Sequence, residues 1–426
     1  MTHISSGLLR NLVLGFGVVA YALRRRLSPG EALTTLRERS GRVDAPRRGG
    51  SGPRVLVHGV SVGEQVALRS LVEALAESEL RPEMVVSATT TSGVDVARRM
   101  HAGRHEVVRY PLDFTWMTNR FLDALRPRLV VLAELELWPS FLAACSRRRI
   151  PVVVVNGRLS ERSWRGYRRW RRSARRTMRS LAQVQAQSEL DRDRFVELGV
   201  PAERVLVAPS LKWDAGSAAP GDSEAARSIA AALGIDRSRP LVVAGSTGPG
   251  EEEALVGTLP EGCQLVLAPR RPERWEEVAR LAPKMPRRSA TVGGAEPGAG
   301  ARVFLLDTIG ELAAAYQLAD AAFVGRSLVP LGGSNPLEPI AAGVPAIVGP
   351  HYENFAQIVD ELVAAGGVMV SDDPMGVVAK WMRHPDAAAT VASRGRSVLE
   401  RNRGVSQRAA ARILELLDDL PSVGRR

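Results

Sequence analysis

The sequence predicts an α/β protein built from two doubly wound parallel domains that face each other across a cleft. Short apolar runs alternate with amphipathic helical stretches along most of the 426 residues, as they do where parallel strands are joined by crossover helices. A chain this long exceeds one ordinary hydrophobic core, so two domains are its natural division. The alternation also stops once, at the small, Gly- and Pro-containing stretch Asp214 to Asp222, and then resumes. That stretch reads as an interdomain linker.

Residues 1–30 read as a membrane anchor and connector. Leu8 to Leu23 is largely apolar, and Arg24, Arg25 and Arg26 follow it. The apolar run falls short of the roughly 20 residues that cross a bilayer, and it lacks a small-residue cleavage site. A shallowly inserted helix with its arginines on the cytoplasmic side fits best, and a short spanning helix starting near Ile4 stays open. The first domain, residues 31–213, is expected to carry strands at 54–58, 84–87, 129–133, 152–156, 184–186 and 205–208. After a linker at 214–224, the second domain, residues 225–400, is expected to carry strands at 241–244, 264–268, 303–306, 321–324, 346–348 and 367–370. Residues 284–301 read as a glycine-rich loop or hairpin. The tail from Ala389 to Leu420 is helical by pattern, and residues 401–426 are free to pack back on the first domain.

Hydrophobic content of 45% and charged content of 24% describe a globular chain. Cys145 and Cys263 lie far apart, without His or Cys at ligand spacing, so neither a disulfide framework nor a metal site is expected. The net charge of +12 rests almost wholly on arginine, since the only lysines are Lys212, Lys284 and Lys380. Ten arginines and one acid, Glu161, lie between Arg158 and Arg179, with Trp164, Tyr167 and Trp170 among them. Such a basic helix suits an anionic membrane surface, met by Arg162, Arg165, Arg168, Arg169, Arg172 and Arg176 with the aromatics at headgroup depth. It also suits, in descending order, a solvated face whose arginine stems pack on aromatics, and nucleic acid. The apolar N-terminus favours the membrane.

Candidate chemistry gathers where strands end. After residues 321–324, Gly332-Gly333-Ser334-Asn335-Pro336-Leu337-Glu338-Pro339 joins a tight turn to a helix start; Gly333 lets a ligand approach, and Asn335 and Glu338 supply polar groups. Gly245-Ser246-Thr247 offers amides and hydroxyls to a phosphate, without the lysine of a P-loop. Pro269-Arg270 places a guanidinium at the same edge, and Asp307-Thr308-Ile309-Gly310-Glu311 adds a further turn. In the first domain, Glu64 follows His58-Gly59-Val60-Ser61-Val62-Gly63 directly. Its carboxylate either complements a helix N-terminus or takes a proton from an attacking hydroxyl. Thr90 lies in a hydroxyl-rich turn that suits an N-cap. Glu134 and Glu136 end the strand at 129–133, as acceptor-side groups or partners for arginine. Arg158 follows Asn156-Gly157.

In combination and order, these motifs resemble those of the bacterial 3-deoxy-D-manno-octulosonic acid (Kdo) transferases of lipopolysaccharide assembly. The likeness runs from His58 to beyond Asp373 and also takes in Gln187-Ser188-Glu189, Gly250-Glu251-Glu252, Pro272-Glu273-Arg274 and Gly349-Pro350-His351. It implies a GT-B glycosyltransferase that inverts the donor's anomeric configuration without a metal or other cofactor. It also implies CMP-Kdo as donor, a lipid A precursor as acceptor, and a place at the cytoplasmic face of the inner membrane. Glu64 matches the general base. Ser246, Arg270, Asn335 and Glu338 match positions around the donor nucleotide, and Glu311 follows the turn near base and ribose. Ser61, Gly63, Thr90, Glu134, Glu136 and Arg158 fall in the acceptor half. The chain departs from the family at Gly248, Arg271 and Ser334, where histidine is common. Two other readings stay open: a GT-B transferase of another nucleotide sugar, or a non-catalytic lipid- or nucleic-acid-binding protein on this fold.

Overall fold

The computed structural model describes residues 37–43, 52–169, 171–216, 223–282, 285–292 and 300–421. The expected anchor at residues 1–30 and Trp170 lie outside the described residues. The chain divides into two compact units, Met1–Asp214 with Gly404–Arg426, and Ala215–Arg403.

The first unit runs β1 (Arg54–His58), α1 (Val62–Ala76), β2 (Glu83–Ala88), α2 (Thr91–Met100), β3 (Glu106–Arg109), α3 (Thr115–Leu125), β4 (Leu129–Ala133), α4 (Pro139–Arg147), β5 (Val152–Gly157), α5 (Glu161–Arg169), α6 (Arg171–Arg179), β6 (Gln183–Ala186), α7 (Glu189–Leu198) and β7 (Val205–Val207). Its strands form one parallel sheet ordered β3-β2-β1-β4-β5-β6-β7. Central β4 and β5 are buried along their whole length, which their near-continuous Val and Leu runs require of strands covered on both faces. One apolar layer joins Leu56, Val85, Val130 and Val154 to Phe121, Phe141 and Phe195. Side-chain caps from Ser61, Thr90 and Ser188 start α1, α2 and α7.

The second unit runs α8 (Glu224–Leu233), β8 (Leu241–Thr247), α9 (Glu251–Gly257), β9 (Gln264–Pro269), α10 (Trp275–Val278), α11 (Arg288–Val292), β10 (Val303–Leu305), α12 (Leu312–Tyr316), β11 (Ala321–Val324), α13 (Leu337–Ala341), β12 (Ala346–Val348), α14 (Ala356–Ala364), β13 (Met369–Val370), α15 (Pro374–Arg383) and α16 (Pro385–Asn402). Its parallel sheet is ordered β10-β9-β8-β11-β12-β13. Alternate residues face opposite layers, as strand geometry dictates. Val242 and Ala244 meet Val378 and Trp381, while Leu241 and Val243 meet Ile229, Leu233 and Tyr316.

Three details differ from the sequence reading. β3 has no counterpart in it, because Glu106 and Arg109 leave only Val107 and Val108 as apolar signal in an edge strand. The described part of 284–301 carries the short helix α11. The helical tail is two helices, α16 and then α17 (Val405–Asp418), broken at Gly404 with φ of 75°. α17 belongs to the first unit and packs on α1. Asp214 fixes its start, accepting hydrogen bonds from the amides of Gly404 at 2.9 Å and Ser406 at 2.6 Å. No described helix is long and apolar enough to cross a membrane.

Candidate active site

In each sheet the strand order reverses once, between β1 and β4 and between β8 and β11. Loops leaving the carboxyl ends of such a strand pair diverge and open a crevice where ligands of α/β sheets bind. Four of the seven described non-glycine residues with positive φ lie at strand ends on these edges. Glu134, Asn156 and Ser246 have φ of 56° and Arg326 has φ of 61°, a region costly for residues with a Cβ and common at functional loops.

Glu64 occupies the first turn of α1, directly after β1. Its two carboxylate oxygens are held separately: the Val60 amide donates to one at 2.6 Å and the Ser61 hydroxyl to the other at 2.9 Å. Each oxygen keeps a lone pair for an incoming proton. Burial, helped by the charges of Glu134 and Glu136 and opposed by those two hydrogen bonds, raises its pKa from 4.5 to about 7. Thr90 joins the cluster by donating to the Val60 carbonyl at 3.0 Å while capping α2. Gly93 leaves that junction its room, since a Cβ there would meet Thr90 Oγ1 at 2.8 Å and the Val60 carbonyl oxygen at 2.9 Å. Glu136 accepts from Trp138 Nε1 at 2.7 Å, and burial raises its pKa despite that bond. Gly63 is exposed at the mouth. Arg158 is exposed after β5, with no hydrogen bond or ion pair to this cluster.

Two supporting roles escaped the sequence reading. His58 is fully buried, stacks on Tyr110 with ring centroids 3.8 Å apart, and lies 3.0 Å from Ser87 Oγ. Burial lowers its pKa to about 3, so it is a neutral prop beneath the Glu64 loop. Gln65 donates to the carbonyls of Gly59 at 2.6 Å and Ser87 at 3.0 Å, tying the ends of β1 and β2. Gln65 carried no signal, because a polar residue beside a catalytic candidate reads as surface.

In the second unit, Gly245 lets α12 approach β8: a Cβ there would sit 1.9 Å from Tyr316 Oη. The exposed tip Ile309–Gly310 that precedes α12 is thereby held at the same edge. Glu311 is engaged by Arg288, at 2.8 Å, and by Thr308, which keeps its carboxyl below the usual range. Thr247 is buried and donates to Glu252 at 2.7 Å, leaving Ser246 as the accessible hydroxyl of the turn. Pro269 ends β9, and the Arg270 amide then donates to the Thr247 carbonyl at 3.0 Å. On the β11 side, Ser334 donates to the Ser246 carbonyl at 3.4 Å and Asn335 to Glu338 at 3.4 Å. Glu338 has its pKa raised by burial, with Asn335 and the charge of Arg270 opposing. Gly333, with φ of 74°, turns the chain between them. Glu251 was seen only as part of a motif. It is buried and accepts from the amides of Gly248, Arg326, Ser327 and Leu328 at 2.6 to 2.8 Å, so one carboxylate fixes both loops.

The basic segment forms α5 and α6, with Arg162, Arg165, Arg168, Arg169, Arg172 and Arg176 all exposed. Trp164 and Tyr167 turn inward onto the core. Trp164 donates to Glu197 at 3.0 Å and lies under the Arg168 guanidinium, 4.6 Å from its ring centroid. Arg165 and Arg168 are paired with Glu161 and Glu197, so the helix presents cations outward and its aromatics inward. Among the described residues, no group of three or more His, Cys, Asp or Glu side chains is placed to hold a metal ion.

Comparison with known proteins sets this geometry in a family. A family model described as 3-deoxy-D-manno-octulosonic-acid transferase (kdotransferase) matches residues 34–215. The 3-deoxy-D-manno-octulosonic acid transferase of Haemophilus influenzae is 32% identical over 85% of this chain and 86% of its own length. That of Bordetella pertussis is 34% identical over 79% of this chain and 80% of its own. In fold, the chain is similar to Anabaena HepE in complex with UDP and glucose, with a TM-score of 0.56 at 15% identity over 86% of this chain and 100% of that one. That is a GT-B-like pair of parallel sheets. The chain belongs to the 3-deoxy-D-manno-octulosonic acid transferase family and is a glycosyltransferase.

Proposed function

We propose that this enzyme transfers Kdo from CMP-Kdo to a lipid A precursor in lipopolysaccharide biosynthesis, inverting the anomeric configuration without a metal. The observation that carries the reading is Glu64: a half-buried carboxylate at the β1–β4 switch point, held by two hydrogen bonds, with its pKa raised to about 7. A general base works best when its pKa lies near the working pH. Glu64 takes the proton of the acceptor's primary hydroxyl as that oxygen bonds to the anomeric carbon. The bond from that carbon to the phosphate oxygen breaks, and CMP leaves with the electron pair. Ser61, Gly63 and Thr90 shape the acceptor side, with Glu134, Glu136 and Arg158 at neighbouring strand ends.

The donor-binding residues are Gly245, Ser246, Thr247, Pro269, Arg270, Ile309, Gly310, Glu311, Gly333, Asn335 and Glu338. Gly245, Thr247 and Gly333 act through backbone shape, and Ser246, Arg270, Asn335 and Glu338 through polar contact. The exposed arginines of α5 and α6 meet anionic lipid at the cytoplasmic face of the inner membrane, where the acceptor resides. Purified protein in detergent, given CMP-Kdo and tetra-acylated lipid A precursor, is expected to yield product heavier by one or more Kdo residues in the mass spectrum. Product formed only from another nucleotide sugar would replace the donor, and binding of lipid or nucleic acid with no transfer from any donor would end the reading.

A further inference from the structure

The Ser246–Gly248 turn has arginines on both sides. β9 and β11 flank β8, with Thr247 opposite Pro269 and Gly245 opposite Val324. Arg270 and Arg271 leave the end of β9, and Arg326 leaves the end of β11 two residues past Val324. The Arg326 side chain leans over the turn: a Cβ on Gly248 would lie 3.3 Å from Arg326 Cγ. Its backbone has φ of 61°, a strained value for an arginine. Glu251 stabilises that conformation by accepting from the Arg326 amide at 2.6 Å.

Among the described residues none of the three forms an ion pair, and the nearby carboxylates, Glu251 beside Arg326 and Glu338 beside Arg270, are engaged elsewhere. Glu251 already accepts four backbone amides, and Glu338 is bonded to Asn335. Arg326 Nη2 donates to the Leu331 carbonyl at 2.9 Å, a neutral acceptor. Arg270 and Arg271 are exposed and make no ion pair among the described residues. Burial and the charges of Arg270 and Arg271, opposed by Glu251, hold the Arg326 guanidinium below its usual pKa. Like charges gathered around one turn destabilise each other until an anion arrives, and guanidinium forks match phosphate oxygens.

We infer that Arg326, acting with Arg270 and Arg271, grips the phosphate of the donor nucleotide, and that Arg326 is therefore a donor-binding residue of this enzyme. The inference rests on the second unit being the donor site. The same contact becomes stronger as the phosphate gains negative charge on departure, so it also favours bond cleavage.

The test is calorimetric binding of CMP, with cytidine as its phosphate-free control, to the full-length enzyme and to Arg326→Gln and Arg326→Gly. CMP affinity should fall about ten- to a hundredfold in both variants, the range for one charge-assisted contact, while cytidine affinity stays unchanged. Arg326→Gly also relieves the backbone strain, so its thermal midpoint should equal or exceed that of the wild type, which separates lost binding from lost folding. Unchanged CMP affinity, or an equal loss for CMP and cytidine, overturns the inference. If the wild type prefers UDP or GDP and Arg326→Gln weakens that nucleotide alone, the grip stands and the CMP reading falls. If no nucleotide binds, both fall.

Discussion

Glu64 concentrates the proposed chemistry in one titration. As the proposed base its carboxyl must be ionised to accept a proton, so kcat/KM should rise with pH through about 7, the value to which burial lifts it. The sign for stability is opposite. The folded state holds this proton up to about 7 while the free carboxyl releases it near 4.5. Its contribution is therefore fully present below 4.5 and lost as pH rises through 7. Glu64→Gln should thus be at least as stable as wild type at pH 8, and a clearly lower thermal midpoint there would contradict the burial argument. Glu64 was legible in sequence because a strand, a short Gly-Val-Ser turn and an amphipathic helix fix where it sits. Glu251 was not, since three consecutive glutamates, Glu251 to Glu253, look alike until the β11 loop folds over the first of them. His58 led a recognisable motif, yet only its burial against Tyr110 shows it to be a neutral prop.

At the scale of elements, most strands covered on both faces were read to within a residue or two, because runs such as Val152–Val155 have few alternatives. β8 runs three residues past its expected end at 244, through the Gly245-Ser246-Thr247 turn motif. β3 escaped because edge position strips a strand of the hydrophobic continuity that makes it visible. The break between α16 and α17 also escaped: one glycine in a helical pattern costs little, and the signal for a new helix is a long-range cap. Asp214, nearly two hundred residues away in sequence, supplies that cap through two amide hydrogen bonds. Asp214→Ala should lower stability by about 1 kcal/mol, the usual worth of such a cap, seen as an earlier denaturant midpoint. No shift would mean that the packing of α17 on α1 holds it without Asp214.

For the whole molecule, two sheets of similar winding each reverse strand order once, with Glu64 after β1 and Ser246 at the end of β8 beside those points; the sequence carried the two alternating series but not the strand order. What it left open was the use of the basic segment. With Trp164 and Tyr167 turned inward, the proposed membrane attraction through α5 and α6 rests on charge alone, at about 1 kcal/mol per arginine near an anionic surface. Replacing Arg169, Arg172 and Arg176 by Ala should cut binding to anionic vesicles by about a hundredfold and leave binding to neutral vesicles unchanged. Equal binding of variant and wild type to anionic vesicles would remove this face from membrane contact.

The most direct test of the central claim compares wild type and Glu64→Gln in Kdo transfer from CMP-Kdo to lipid A precursor, read by mass spectrometry, with CMP binding measured alongside. The expected result is product from the wild type, a loss of about two to four orders of magnitude in the variant, and equal CMP affinity in both. Near-normal transfer by Glu64→Gln would contradict the claim that Glu64 takes the acceptor's proton.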